Sequence, residues 1–241
     1  MRIERLNIAY GDRAVYRDWQ AEFPDNGVTC LMGASGVGKT TLLHALAGQL
    51  PYCGQIEMPS DGAAYVYQQP RLIGGICVRE NLRFVLSGLP REQADKRIER
   101  YCACLHISHL LDRMPLTLSG GEQGRVALAR AFCHGGNPLL MDEPFRGLDI
   151  GLKSEILASL IELLQDSPRT VVWATHDPEE ALMLSDRIFV LAGSPVRAAY
   201  RCDIVTPRSE RSLADVSLAQ LRRKLYAALS APRQREISDT V

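Results

Sequence analysis

The 241-residue chain has no net charge: lysine plus arginine and aspartate plus glutamate both number 28. That balance excludes the global basic footprint of a nucleic-acid binder, and any basic patch must be local. No stretch approaches the roughly 18 uncharged apolar residues that a membrane span needs. The opening MRIERLNIAY has no apolar core of signal-peptide length. These absences lead to the expectation of a cytoplasmic chain. There is no internal repeat and no low-complexity tract. What is present suits one large globular domain, or one and a half: 46% of residues are hydrophobic and 23% charged. Seven cysteines at irregular positions (Cys30, Cys53, Cys77, Cys102, Cys104, Cys133 and Cys202) cannot all pair within the chain. We therefore expect reduced thiols, a reducing compartment and no structural disulfide.

The first 32 residues read as strands. RIERLNIAY alternates, AVYRDWQAEF follows a Gly-Asp turn, and GVTCLM is a short buried run. Helix TTLLHALAGQL opens directly after a glycine-rich stretch. Beyond GQIEM and AAYVYQ lies a helical middle region without strand signal, where VRENLRFVLSG and REQADKRIERYCACL space apolar residues by three and four. Strands and helices then alternate: PLLMDE, LKSEILASLIELLQ, TVVWATH, PEEALML, RIFVLAG. Such alternation predicts a parallel sheet flanked by helices. In LADVSLAQLRRKLYAALS the pattern places Leu213, Val216, Leu221, Leu225 and Leu229 on one docking face, and the polar RQREISDTV that follows is expected to fray.

Two glycine-led helix starts carry the chemistry. GASGVGKTT comprises Gly33, Ala34, Ser35, Gly36, Val37, Gly38, Lys39, Thr40 and Thr41, and fits the phosphate-loop pattern between a predicted strand and a predicted helix. Its amides can curl around a polyphosphate at the positive end of a helix, Lys39 can reach the terminal phosphates, and the Thr40 hydroxyl can hold Mg²⁺. Downstream, PLLMDEP ends an apolar strand in Asp142 and Glu143, where one acid can serve the metal and the next can polarise an attacking water. The second helix start, LSGGEQ, is too far along the chain to belong to the first loop's cradle. Ser119, Gly120 and Gly121 are nevertheless suited to grip a phosphate, one that another copy of the chain could present.

The motifs, in this order, resemble those of the ATP-binding subunits of ABC transporters, over nearly the whole chain. GASGVGKTT resembles the Walker A loop, Gln68 in YVYQQP the Q-loop, Ser119, Gly120, Gly121 and Glu122 the signature, and LLMDEP the Walker B strand. Asp149 in GLD resembles the D-loop, His176 in ATHD the switch histidine, and Tyr10 the aromatic that stacks on adenine. The resemblance implies an α/β fold of the P-loop NTPase class in its ABC form: a RecA-like mixed sheet core, an N-terminal antiparallel β subdomain and an α-helical signature subdomain. The ATPase domain would span residues 1–205, with the helical subdomain at 72–135, and 206–241 would form a docking helix and tail. It further implies a head-to-tail homodimer around two ATP molecules with Mg²⁺, in which the signature serves the partner copy's nucleotide. Glu143 would be the general base, His176 would contact the γ-phosphate, and Gln68 would link Mg²⁺ or water to the helical subdomain. Thr40, Gln68 and Asp142 would serve the metal, and Asp149 would communicate across the dimer. An integral membrane permease and an extracytoplasmic solute-binding protein would complete an importer on the inner face of the membrane.

Some features depart from the pattern or stand outside it. RGLD places Arg146 and Gly147 where the family usually has a small pair, and Glu122 replaces the commoner glutamine. PRLIGGICVRENL resembles the corresponding segment of nitrate, sulfonate and vitamin-precursor importers, with Gly74-Gly75 in place of proline-tryptophan. An exporter or lipoprotein-extracting ATPase shares LSGGEQ with RVALARA. A soluble mechanical ATPase is the alternative of a different class, and the short interval between Lys39 and Ser119 leaves no room for the long coiled coil of its DNA-repair form. The cluster CACLHISH gathers Cys102, Cys104, His106 and His109, but on a helix Cys104 points away from Cys102 and His106, so core cysteines are the expectation. Arg222 to Lys224 are read as a solvated helix face rather than a lipid-binding patch. No residue reads the transported solute.

Overall fold

The computed structural model describes residues 1–59 and 62–230. It divides into two compact units, one made of residues 1–58 with the chain from 174 onward, the other of residues 59–173.

In the first unit, β1 (Arg2–Tyr10), β2 (Arg13–Glu22) and β4 (Cys53–Glu57) form an antiparallel sheet in the order β2-β1-β4. The β1–β2 connection is the two-residue Gly-Asp turn. Strict alternation does not hold along β1. Ile3, Leu6 and Ile8 are all buried, and the three-residue step from Ile3 to Leu6 is taken through a register shift at Arg5, whose φ is 48°. Tyr16 and Trp19 pack edge to face beneath this sheet, with centroids 5.3 Å apart.

The unit's second group of strands is β3 (Val28–Gly33), parallel to β8 (Arg187–Ala192), with β9 (Arg197–Asp203) antiparallel on the outer side of β8. Every residue of β3 is buried, as expected of a strand covered on both faces. The edge strand β9 carries charged residues and no buried position, so the sequence contains no apolar alternation to announce it. Helices α1 (Lys39–Leu46), α6 (Pro178–Leu184) and α7 (Val216–Ser230) complete the unit.

The face of α7 differs from the one expected. Leu218 and Leu225 are its buried residues, with Leu221 and Leu229 half-buried, whereas Val216 is 73% exposed and Leu213 precedes the helix. With the helix starting at Val216, positions 218, 221, 225 and 229 fall on one side, and 216 lies nearly opposite 218. Arg222 is not simply solvated: its guanidinium donates to Glu179 Oε1 of α6 at 2.7 Å. The expectation of fraying in RQREISDTV lies outside the described residues.

In the second unit, β5 (Ala64–Val66), β6 (Leu139–Asp142) and β7 (Val171–Ala174) lie in that order, β5 and β6 parallel. Helices α2 (Val78–Phe84), α3 (Arg91–Cys104) and α4 (Gly120–His134) pack on one another, and α5 (Ile150–Asp166) follows β6. Tyr101 of α3 meets Phe132 of α4 at 5.6 Å. Asn81, buried in α2, accepts from the Ile73 amide and donates to the carbonyls of Ile73, Ile76 and Cys77, which holds the preceding loop against the helix. Cys102 is buried and Cys104 half-buried, while His106 and His109 are exposed. Among the described residues no group of three or more His, Cys, Asp or Glu side chains is placed to hold a metal ion, and no helix is long and apolar enough to cross a membrane.

Candidate functional site: a phosphate cradle, a strand-end carboxylate pair and a capped helix start

In the first unit the turn between β3 and α1 forms a cradle. Gly33, Gly36 and Gly38 have φ of 145°, 74° and 120°, conformations open to glycine and costly for other residues. At Gly33 a Cβ would also meet the Leu191 carbonyl oxygen at 2.5 Å, so this position is closed to a side chain by space as well as by torsion. The N-terminus of α1 has no side-chain cap and no acidic residue in its first turn. Neither a capping side chain nor an acid of the helix's own first turn therefore takes up its leading amides, and such a start, with the positive end of the helix dipole, suits an anion. Lys39, largely buried, donates from Nζ to the Gly33 carbonyl at 2.8 Å and the Ala34 carbonyl at 3.2 Å. This curls the ammonium back over the loop. The Tyr16 hydroxyl donates to the Gly38 carbonyl at 3.0 Å, and burial raises that phenol well above its ordinary value, so it remains a donor.

Two further candidates lie in this unit. Tyr10 ends β1 and is 52% exposed. His176 is exposed in the turn between β7 and α6. That turn is held on both sides of the histidine. The Thr175 amide donates to the Leu31 carbonyl of β3 at 3.3 Å, and the Thr175 hydroxyl donates to buried Glu180 Oε2 at 2.5 Å. Asp177 caps α6, accepting from the amides of Glu179 and Glu180 at 2.9 and 3.4 Å.

The second unit brings together Gln68, Asp142 and Glu143. Asp142 is 5% exposed at the end of β6. Glu143, one residue on, turns the chain with φ 47°. Gln68 Nε2 donates to Glu143 Oε2 at 3.2 Å, a contact across 75 residues of sequence. Arg130 of α4 secures the segment after Gln68 by donating to the carbonyls of Pro70 and Arg71, each at 2.9 Å. The signature start is built differently from the cradle. Ser119 Oγ accepts from the Glu122 amide at 3.3 Å, and Glu122 Oε2 accepts from the Ser119 amide at 2.8 Å, a reciprocal cap. The backbone hydrogen bond from Ser119 lowers the Glu122 carboxyl below its ordinary value. Asp149 caps α5 one way only, accepting from the Leu152 amide at 2.9 Å.

Several supports were missed in the sequence: Tyr16 under Gly38 and Arg130 on the Gln68 segment act across 22 and about 60 residues, and Thr175 and Glu180 beside His176 meet across a turn and a helix start. Each is an ordinary residue type until its partner is known. The one local hint was Thr175, a hydroxyl at the buried end of a strand.

A family model described as ABC transporter matches residues 16–146. The chain belongs to the ABC transporter family. The ABC relatives include an aliphatic sulfonates import ATP-binding protein of Paracoccus denitrificans, 34% identical over 230 residues that cover 94% of this chain and 92% of the relative. A molybdenum import ATP-binding protein of Pseudomonas aeruginosa is 37% identical over 200 residues, covering 76% of this chain and 55% of the relative. Among solved structures, the cbiO1 subunit of Clostridium perfringens, part of an ABC transporter complex, superposes with a TM-score of 0.73 at 25% identity, covering 96% of this chain and 95% of that one. The dimeric structure of a bacterial ABC transporter cassette superposes with a TM-score of 0.77 at 22% identity, covering 85% and 99%, and shares the fold. The P-loop α/β architecture of the ABC type is thereby established. The protein is the ATP-binding, ATP-hydrolysing subunit of an ABC transporter of the import type.

Proposed function

We propose that the chain binds MgATP in the Gly33–Thr41 cradle, dimerises around two nucleotides and hydrolyses them to drive import of a small sulfonate-type solute through a separate membrane permease. The observation that carries this reading is the uncapped, acid-free N-terminus of α1 with Lys39 folded over the loop carbonyls. A helix start arranged in this way is suited to a polyphosphate. Tyr10 stacks on adenine. Glu143 is the general base toward water, held by Gln68, and His176 contacts the γ-phosphate from a turn that Thr175 and Asp177 keep in place. Rate enhancement then comes from positioning and charge stabilisation around the phosphoryl group.

The side chains that would serve a magnesium ion carry the hard oxygen donors it takes: Thr40 a hydroxyl in the first turn of α1, Asp142 a nearly buried carboxylate and Gln68 an amide oxygen. When bound, the ion neutralises charge on the phosphate oxygens. Ser119, Gly120, Gly121 and Glu122 act on the ATP of a second copy, and Asp149 communicates across that dimer. Exposed Ile73, Phe84, Met114 and Leu116 offer an apolar surface to the permease. The sulfonate class is supported by the relatives' names, and selection of solute is left to the permease and an extracytoplasmic solute-binding protein. On this reading the chain works at the cytoplasmic face of the membrane.

Glu143→Gln tests the reading. The variant is expected to bind ATP, to slow hydrolysis by about 100-fold or more, and to accumulate as a dimer in size-exclusion chromatography with ATP. Turnover near the wild-type rate would remove Glu143 as the base.

A further inference from the structure

Arg146 stands three residues beyond Glu143, and its guanidinium Nη1 lies 3.6 Å from Glu143 Oε2, the oxygen that also accepts from Gln68. The turn between them is well anchored. Phe145 is buried and meets Trp173 edge to face at 5.8 Å, the Arg146 amide donates to the Glu143 carbonyl at 3.1 Å, and Gly147 follows at φ 77°. Anchoring Phe145 inward leaves Arg146 on the outer side of the turn, 61% exposed, beside a carboxylate that is only 18% exposed. A glutamate side chain has three rotatable bonds, and a carboxylate that must face one water gains from having its rotamer held.

We infer that Arg146 is a positioning residue for the general base: together with Gln68 it holds Oε2 of Glu143, so that the carboxylate is oriented before nucleotide arrives. The inference rests on Glu143 being the base and adds a residue to that reaction. Its charge, not its bulk, does the holding. An exposed ion pair is modest in strength, so the effect falls on turnover and not on folding or on nucleotide affinity.

The test compares ATP turnover of the purified full chain as wild type, Arg146→Ala and Arg146→Lys, with thermal unfolding as a check on folding. Arg146→Ala is expected to lower kcat by about two- to five-fold with KM for ATP unchanged, and Arg146→Lys to recover most of the loss. Because salt screens a solvated pair, the ratio of wild type to Arg146→Ala should approach one between 0.1 and about 1 M sodium chloride. In a Glu143→Gln background, single-turnover hydrolysis should be the same with and without Arg146→Ala. An unchanged kcat in Arg146→Ala, a salt-independent ratio, or an equal loss in the Glu143→Gln background would overturn the inference while leaving Glu143 as the base. Near wild-type turnover of Glu143→Gln would instead overturn the reading beneath it, and the inference with it.

Discussion

The chain contains two helix starts led by glycine, and they are built in opposite ways. At α1 the amides have no side-chain cap, no acid lies in the first turn, and three glycines take positive φ. At α4 Ser119 and Glu122 cap one another, Gly120 has open space around it, and Gly121 sits against Leu148 and Leu152. The first is prepared for an anion in the isolated chain. The second has satisfied its own donors and placed a carboxylate beside them, so a phosphate must displace or join that cap. Glycine at a helix start is therefore not one signal. What surrounds it decides whether the amides are offered or already used.

The comparison would break most visibly at the level of binding. Lys39→Ala should weaken nucleotide binding to the isolated chain by about 10- to 100-fold, since it removes a charged donor from the cradle. Ser119→Arg should leave that affinity within about two-fold and yet stop hydrolysis if, as proposed, the capped start acts on the second copy's nucleotide. Fluorescent-nucleotide titration beside a phosphate-release assay measures both. Equal loss of affinity in the two variants would erase the distinction.

A second pair of substitutions sharpens it in stability. Gly33→Ala would drive a Cβ into the Leu191 carbonyl and hold alanine at φ 145°, for a cost of about 2 to 4 kcal/mol. Gly120→Ala enters open space at the first position of a helix, where we expect a change within about 0.5 kcal/mol. Urea unfolding of both variants would show whether the two glycines differ as described.

The smallest expected effect concerns the cap itself. The Glu122 carboxyl is lowered in the folded chain, so its contribution is present above the ordinary carboxylate value and is lost as pH falls through the depressed one. The stability difference between wild type and Glu122→Gln should thus be constant from about pH 7 to 5 and shrink below about pH 4. A difference that grew on acidification would contradict the reciprocal cap.

How much of the site was legible follows from sequence distance. GASGVGKTT could be read because its donors are consecutive amides in one turn, whereas LSGGEQ was read only as a second phosphate-ready start, although serine followed three residues later by glutamate is a local capping pattern. Gln68 had meaning only through its place among the other motifs. Its hydrogen bond to Glu143 joins residues that no local pattern connects. The same holds for Arg130 on the Pro70 and Arg71 carbonyls and for Asn81 on its loop. Apolar spacing identified α7 as a docking helix but misjudged its face, because Val216 and Leu221 stand about 140° apart on any α-helix whereas Leu218, Leu221, Leu225 and Leu229 share one side. Strand β9 was missed because an exposed edge leaves no apolar alternation.

The sequence by itself determined the conformations that depend on neighbours along the chain: the glycine cradle, the reciprocal cap at Ser119, the carboxylate pair at the end of an apolar strand. Torsional freedom and adjacent amides belong to a short stretch of residues and travel with it. Only the tertiary structure decided which side chains support them: Tyr16 beneath Gly38, Gln68 and Arg146 on one oxygen of Glu143, Glu180 on the Thr175 hydroxyl. Hydrogen bonds and ion pairs act over a few ångströms in space, and for the most distant of these partners that proximity exists only after strands and helices far apart in the sequence have packed.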